Sequence, residues 1–130
     1  MARFHQEGEG MSIKGALKEI VENVDGGLGA IVIGYDGIPL DEYIKEDIPI
    51  DLQVLAVEYA TVLKEIRKAV EVLNSGLMEE ISINTDVSRV IIRIIDDDLF
   101  VVFALLSDGN YGKGRYILKR QVPRIKEILQ

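Results

Sequence analysis

The sequence predicts one α+β domain with the element order αββαβββα, in which helices cover both faces of a five-stranded antiparallel sheet. Three observations predict this class. Two stretches in the first 75 residues repeat apolar residues every three or four positions, the period of a helix. The runs 28–35 and 99–106 are apolar throughout, as in strands that are covered on both sides. The length of 130 residues fits a single domain.

Composition restricts the class of partner. The 22 acidic and 15 basic residues give a net charge of -7, which disfavours nonspecific binding to nucleic acid or anionic lipid and favours a protein partner or a small solute. The absence of cysteine excludes disulfides and thiolate chemistry. No apolar run approaches the roughly 20 residues of a membrane span, and residues 1–10 lack the apolar segment of a secretory signal. We therefore expect a cytoplasmic protein.

The N-terminal region divides into a tail and a first helix. Residues 1–11 are polar, contain glycine and show no period, so we expect a flexible tail followed by a folded domain at 12–130. The single histidine, His5, lies in that tail, and an unstructured residue is favoured over a catalytic one. Ser12 is a suitable N-cap for a helix that ends at 25–27, Asp-Gly-Gly.

A β-hairpin is predicted next. Residues 28–35, LGAIVIGY, form its first strand, Asp36 and Gly37 provide the two-residue turn, and residues 38–44 form the returning strand. Because Pro39 cannot donate a hydrogen bond to a neighbouring strand, we expect this second strand at an edge of the sheet.

Residues 49–73 predict the long central helix. One face is apolar throughout, and we expect it to be core: Leu52, Leu55, Ala56, Tyr59, Leu63, Ile66, Val70 and Leu73. Val54, Val57 and Thr61 lie on the opposite side, where a surface helix is normally charged, whereas charged residues crowd the turns after residue 63. A partner surface on the first half, 51–63, is favoured over the alternative of stray exposed valines.

Three strands and a helix complete the chain. The run 78–85 alternates, with Ile81 and Ile83 facing inward, and is followed by strands at 89–95 and 99–106. We expect a meander of five strands with the two apolar runs in the centre and the alternating and proline-bearing runs at the edges. The last helix, 111–129, counts Tyr116 among its apolar positions, and Pro123 should kink or divide it.

Two segments have compositions that also occur in binding sites. Residues 107–116, SDGNYGKGRY, place glycines and cations before a helix, as in anion sites. Their spacing, G-x-x-G-x-G, fits neither the dinucleotide nor the Walker pattern, so a tight connection with positive φ and close packing is favoured. The three aspartates 96–98 are adjacent rather than spaced as calcium ligands are, so they predict a solvated turn.

The remaining acidic pairs do not predict catalysis. Glu79 with Glu80, and Asp41 with Glu42, are interpreted as charges that protect sheet edges. Without cysteine or a placed histidine, the sequence has no nucleophilic set. We expect no enzyme activity, no metal and no cofactor.

The element order, the hairpin GAIVIGYDGIPL, the helix DLQVLAVEYATVLKEI and the final LFVVFALLSDGNYGKGRYILKR together resemble the roadblock family of dynein light-chain and GTPase-regulator domains. The resemblance extends from about residue 12 to residue 129 and is greatest to the bacterial MglB-like branch. It implies a profilin-like fold and a homodimer formed through the central helix and the strand after it.

The resemblance also implies a function in cell polarity or motility. The expected partner is a small Ras-like GTPase of the MglA kind, whose own switch residues the dimer would reshape to activate hydrolysis or exchange. The expected dimer or partner residues are Gln53, Val54, Val57, Glu58, Thr61, Lys64, Ile81 and Ile83. Two alternatives are a dimeric scaffold without effect on nucleotide turnover and, ranked last, a small-molecule sensor.

Overall fold

The computed structural model describes residues 12–130, so the expectations for the tail and for His5 lie outside the described residues. The predicted order αββαβββα is confirmed. The helices are α1 (Ile13–Glu22), α2 (Leu52–Val72) and α3 (Tyr111–Leu129). The strands are β1 (Gly27–Gly34), β2 (Pro39–Ile44), β3 (Glu80–Asn84), β4 (Ser88–Ile94) and β5 (Leu99–Leu106).

The sheet has the strand order β2-β1-β5-β4-β3, with all neighbours antiparallel. The prediction of a five-strand meander is therefore wrong, because β1 pairs with β5 rather than joining a sequential series. A sequential order would put β1 at an edge, where its eight buried residues could not all be covered. The prediction that the apolar runs are central and that β2 and β3 form the edges is confirmed.

Helices cover both faces of the sheet. On one face, α1 and α3 pack against side chains that include Phe103 of β5. On the other face, α2 alone packs through Leu52, Ala56 and Leu63 against a cluster that contains Phe100. The sheet therefore separates the first half of α2 from α3, whereas the C-terminal ends of both helices border one groove.

Local hydrogen bonds set the ends of the helices. The Ser12 hydroxyl accepts from the Gly15 amide at 2.9 Å, and the Asp51 carboxylate accepts from the Val54 amide at 3.2 Å. Because Asp51 is the N-cap, α2 begins at residue 52 rather than at 49. Its end is followed by Asn74 and Gly76, both with positive φ (53° and 107°), which redirect the chain into β3.

The structure corrects the expected division of the last helix at Pro123 and the assignment of Tyr116. The helix α3 runs through Pro123 without division, because this residue is exposed and the carbonyl that it leaves unbonded, that of exposed Lys119, can be solvated. Tyr116 is 62% exposed, so its assignment to the apolar face is wrong. Leu118 and Ile125 provide the buried side of this helix, and Tyr116 lies on the other side.

The β1–β2 hairpin forms where it was predicted, but its loop has the three residues 35–37 rather than the two residues Asp36 and Gly37, because the Gly34 amide donates to the Ile38 carbonyl at 3.1 Å. The Gly37 amide donates to the Gly34 carbonyl at 2.9 Å, and Gly37 has φ +81°. Pro39 pairs with Ile33 next to a register shift, at the outer edge of the sheet. None of the three helices within residues 12–130 combines the length and the apolarity that a membrane crossing requires.

Candidate interaction surface

The outer surface of α2 carries exposed apolar side chains. Val54, Val57 and Val62 are 56%, 43% and 49% exposed, and Glu58 and Thr61 beside them are exposed as well. We call these five residues the α2 surface. Val62 was missed from the sequence, although its position next to the apolar flank of the helix could have indicated it.

Contacts within the chain orient the α2 surface. The Gln53 side-chain amide donates to the Glu42 carboxylate of β2 at 2.8 Å. A Cβ atom built on Gly37 would lie 3.6 Å from Val57, so this flank of α2 faces the β1–β2 hairpin. Val62 is five residues after Val57 and lies about 140° from it around the helix axis, so it belongs to the opposite flank of α2, toward β3.

The flank toward β3 is only partly covered. Leu55, Tyr59 and Ile66 were predicted as core, but they are intermediate in burial. Ile81 and Ile83 of β3 point to the same face of the sheet and are also half-buried. Because β3 is the last strand of the sheet, these apolar side chains border a strand edge that no other strand within residues 12–130 pairs with.

The second half of α2 is mostly charged, as predicted. Lys64 is exposed, Lys68 pairs with Glu65 at 3.4 Å, and Arg67 pairs with Glu71 at 3.5 Å. Leu73, expected in the core, is 74% exposed because it is the C-cap of α2, beyond the end of the helix.

Further exposed apolar residues were not anticipated from the sequence. They include Ile38 and Leu40 at β2, Val72 at the end of α2, and Leu77, which is 92% exposed, before β3. Leu77 lines a groove of about 740 Å³ between the C-terminal ends of α2 and α3. That groove contains cations and carboxylates in similar number, so it has no clear charge preference.

Glu80 has a different role from the one predicted. It does not act as a solvated edge charge, since its carboxylate lies 3.2 Å from the Arg93 guanidinium and 2.6 Å from that of Arg115. The hydrogen bond from Arg115 to this carboxylate raises the pKa of Arg115. Beside this pair, the Tyr111 hydroxyl donates to the Ser82 hydroxyl at 2.7 Å. These bonds fasten the edge strand β3 to β4 and α3.

The glycine-containing loop before α3 is a packed connection. Asn110 caps the helix by accepting from the Lys113 amide at 3.1 Å, and the Gly114 amide donates to the Asn110 carbonyl at 2.9 Å. A Cβ atom on Gly109 would lie 2.6 Å from the Asp25 carbonyl oxygen. Close packing is thus confirmed, but the positive φ (+85°) belongs to Gly26, which lies against this loop, rather than to the loop glycines.

The aspartate turn satisfies its own backbone. The Asp96 carboxylate accepts from the amides of Asp98 and Leu99 at 2.8 and 2.9 Å, which supports the turn interpretation. Within residues 12–130, no group of three or more His, Cys, Asp or Glu side chains is arranged to hold a metal ion.

Comparison with solved structures identifies the family. A Roadblock/LC7 domain from Streptomyces avermitilis superposes with a TM-score of 0.79 at 12% identity, over 91% of this chain and 98% of that domain. MglC from Myxococcus xanthus is 38% identical, over 86% of this chain and 94% of MglC, with a TM-score of 0.63. The chain belongs to the roadblock family.

Other solved structures support the fold of this roadblock chain. MglB from Thermus thermophilus, described as a gliding protein, is 17% identical with a TM-score of 0.76, over 87% of this chain and 84% of MglB. Profilin II from Acanthamoeba castellanii has a TM-score of 0.56 at 11% identity, over 89% of this chain and 98% of profilin, so the profilin-like fold is confirmed. No protein-family model and no curated protein matches the chain.

Proposed function

We propose that this roadblock chain is a homodimeric, non-catalytic regulator of a small Ras-like GTPase of the MglA kind, acting in the cytoplasm through a folding unit of residues 12–130. The observation that supports it most is the partly covered apolar flank of α2 beside the free edge of β3. The α2 surface then provides the contact with the GTPase.

Dimerisation would cover the free strand edge. An antiparallel β3–β3 pair gives partners to the unpaired backbone groups of both edges and continues the sheet. The same two-fold arrangement would bring the half-buried Ile81 and Ile83 of both copies together with the α2 flanks. Burial of this apolar area favours association at about 25 cal/mol per Å² before the cost of ordering is subtracted.

The charge pattern of α2 indicates how such a regulator would act. Glu58 is the only charged residue from 52 to 63, so this part of the helix has no arginine to insert beside a phosphate. Regulation would therefore proceed by shape and hydrogen bonding on the GTPase's own switch residues rather than by an arginine finger. Val54, Glu58 and Thr61, one or two turns apart along the outer side of α2, are the residues proposed to make this contact.

A dimeric scaffold without effect on nucleotide turnover is the second candidate. It is supported by the absence of any Lys or Arg from 52 to 63, since no cation of this part of α2 could contact a nucleotide phosphate. The scaffold would use the same dimer and the same α2 surface, and it differs from the regulator only in the kinetic consequence of binding.

Single-turnover measurements on a purified MglA-type GTPase from the same organism distinguish the two candidates. Hydrolysis of bound GTP and release of a fluorescent nucleotide are followed with and without a saturating amount of this protein. Acceleration of either step supports the regulator, and binding with unchanged rates supports the scaffold. If neither binding nor a rate change is found, the proposed GTPase partnership is wrong.

Val54→Glu and Val72→Glu form a matched pair for locating the surface. Both residues are exposed valines on the same side of α2, 18 residues or about 27 Å apart. We expect Val54→Glu to weaken GTPase binding or dimerisation at least tenfold, since an acidic group would be buried in a contact, and Val72→Glu to have less than a twofold effect. Equal effects of the two variants would contradict the assignment of the surface to the first half of α2.

A further inference from the structure

The distribution of charge is uneven, because α3 is strongly basic. Residues 111–129 contain six Lys or Arg residues and one acidic residue, whereas the rest of the chain contains nine basic and 21 acidic residues. This helix packs on the face of the sheet opposite to α2. Its charge is therefore remote from the surface to which the proposed function is assigned.

Four of the six cations form no ion pair with any residue from 12 to 130. Arg115 pairs with Glu80 and Arg124 with Glu19. The remaining cations are exposed and form no ion pair within residues 12–130: Lys113, Lys119, Arg120 and Lys126. Since the chain as a whole is acidic, this unneutralised set needs an explanation other than a general excess of positive charge.

These cations form two rows along the helix. Lys113 and Arg120 form one row, and Lys119 and Lys126 form the other. The two residues of each row are seven positions apart, so they are separated by about 10.5 Å along the helix axis. Between the rows lies a ridge that contains Tyr116, 62% exposed, and exposed Pro123. Tyrosine and arginine, here Tyr116 and Arg120, are enriched at energetically important positions of protein interfaces.

We propose that this face of α3, defined by Lys113, Tyr116, Lys119, Arg120 and Lys126, binds an acidic segment of a partner protein. Carboxylates spaced two helical turns apart would meet each row, while an apolar side chain would contact Tyr116. Glu127, the one acidic residue of the helix, is exposed near its C-terminal end, so the contact is expected mainly along the preceding turns.

Physical arguments favour a protein segment over other anions. The apolar side of α3 is already buried through Leu118 and Ile125, so the helix cannot insert that side into a membrane. The 21 acidic residues outside α3 would repel an extended polyanion such as duplex DNA, which reaches beyond the helix. A short acidic segment extends little beyond the basic helix and so meets fewer of these carboxylates.

The test uses the full chain and two synthetic peptides as probes. One is a 15-residue helical peptide with two pairs of glutamates spaced seven residues apart and a central leucine. The other has the same composition with its four glutamates adjacent. Fluorescence anisotropy at low ionic strength should show at least fivefold tighter binding of the spaced peptide, and the affinity should fall as salt is raised.

Variants locate the contact. Lys113→Glu with Arg120→Glu should weaken binding of the spaced peptide about tenfold, and Tyr116→Ala about threefold or more. Lys64→Glu with Lys68→Glu makes the same charge change at exposed positions of α2 and should change binding less than twofold. Equal affinity for both peptides, or an equal loss in the α2 control, would overturn the proposal.

Two further measurements address other occupants. Tighter binding of duplex DNA or of phosphatidylserine vesicles than of the spaced peptide would overturn the proposal in favour of those anions. Self-association that is lost on reversal of Lys113 and Arg120, without peptide binding, would overturn it in favour of a second copy of this chain. None of these results bears on the GTPase assays, because those depend on the α2 surface.

Discussion

Replacement of Gly109 by alanine tests the packing of the loop before α3. The new Cβ atom would lie 2.6 Å from the carbonyl oxygen of Asp25 and 3.1 Å from that of Leu106. The backbone φ of Gly109 is not positive, so alanine itself is allowed there and the cost comes from contact alone. Relief of the contact requires the two backbone segments to separate.

The separation would disturb two hydrogen bonds. The Asn110 amide donates to the Asp25 carbonyl at 2.9 Å, and the Leu106 amide donates to the Gly26 carbonyl at 2.8 Å. Each contributes about 1 kcal/mol, and overpacking adds about 1–3 kcal/mol. We expect Gly109→Ala to lower the free energy of unfolding by about 3–5 kcal/mol, or the Tm by about 10–20 °C.

Gly112→Ala is the matched control three residues away. A Cβ atom on Gly112 meets no atom within 4 Å, and the residue lies in the first turn of α3. Alanine should therefore stabilise the protein by about 0.5–1 kcal/mol through reduced freedom of the unfolded chain. Urea and thermal unfolding of both variants measure the difference. A Gly109→Ala variant as stable as the wild type, or a Gly112→Ala variant equally destabilised, would refute the packing argument.

Three further substitutions test the core, a surface bond and the attachment of β3. Leu63→Ala, at a buried position of α2, should cost about 2–5 kcal/mol in urea unfolding, and a cost below 1 kcal/mol would contradict its place in the core. The Tyr43 hydroxyl donates to the Glu22 carboxylate at 2.7 Å and lowers the pKa of that carboxyl. The lowered pKa of Glu22 stabilises the folded state above pH 4.5, and this stabilisation is lost as pH falls through the folded-state pKa. Tyr43→Phe should therefore lower the Tm more at pH 7 than at pH 3. An equal loss at both pH values would exclude this linkage. Glu80→Ala removes the carboxylate that pairs with Arg93, whose side chain is only 15% exposed, and should lower the free energy of unfolding by about 1–3 kcal/mol. Hydrogen exchange of the β3 amides should accelerate. Unchanged exchange would show that the ion pair does not hold this strand.

Local features of the fold could be predicted because they depend on neighbouring residues. The bounds of β5 and α3 follow from a continuous apolar run and from a helical period after Asn110. The pairing of β1 with β5 depends instead on which strands can be covered on both faces at once. Because the two strands lie about 70 residues apart in the chain, no local sequence pattern indicates that they pair. The apolarity of the two runs indicated their central position without identifying them as neighbours.

The candidate surface was predicted in part for a similar reason. Helical periodicity placed Val54 and Val57 opposite the core, and both are exposed. Val62 was missed and Tyr59 was assigned to the core, because the burial of both depends on how far α2 extends over β3. Glu80 was misinterpreted because its two cationic partners come from β4 and α3, and the sequence gives no indication that these converge on one carboxylate.

The separation of the two surfaces by the sheet has a functional consequence. The α2 surface is apolar with one acid, and the α3 face is cationic, so they would attract chemically different partners. Because the core of α2 and the core of α1 with α3 are distinct clusters on opposite faces, a charge reversal on one surface does not alter side chains that support the other. A GTPase on α2 and an acidic segment on α3 could therefore be bound at once, and their binding free energies should add within about 0.5 kcal/mol. A dimer joined at β3 would carry two α2 surfaces and two α3 faces, so it could connect two copies of each partner. This arrangement would be compatible with a regulator and with a scaffold.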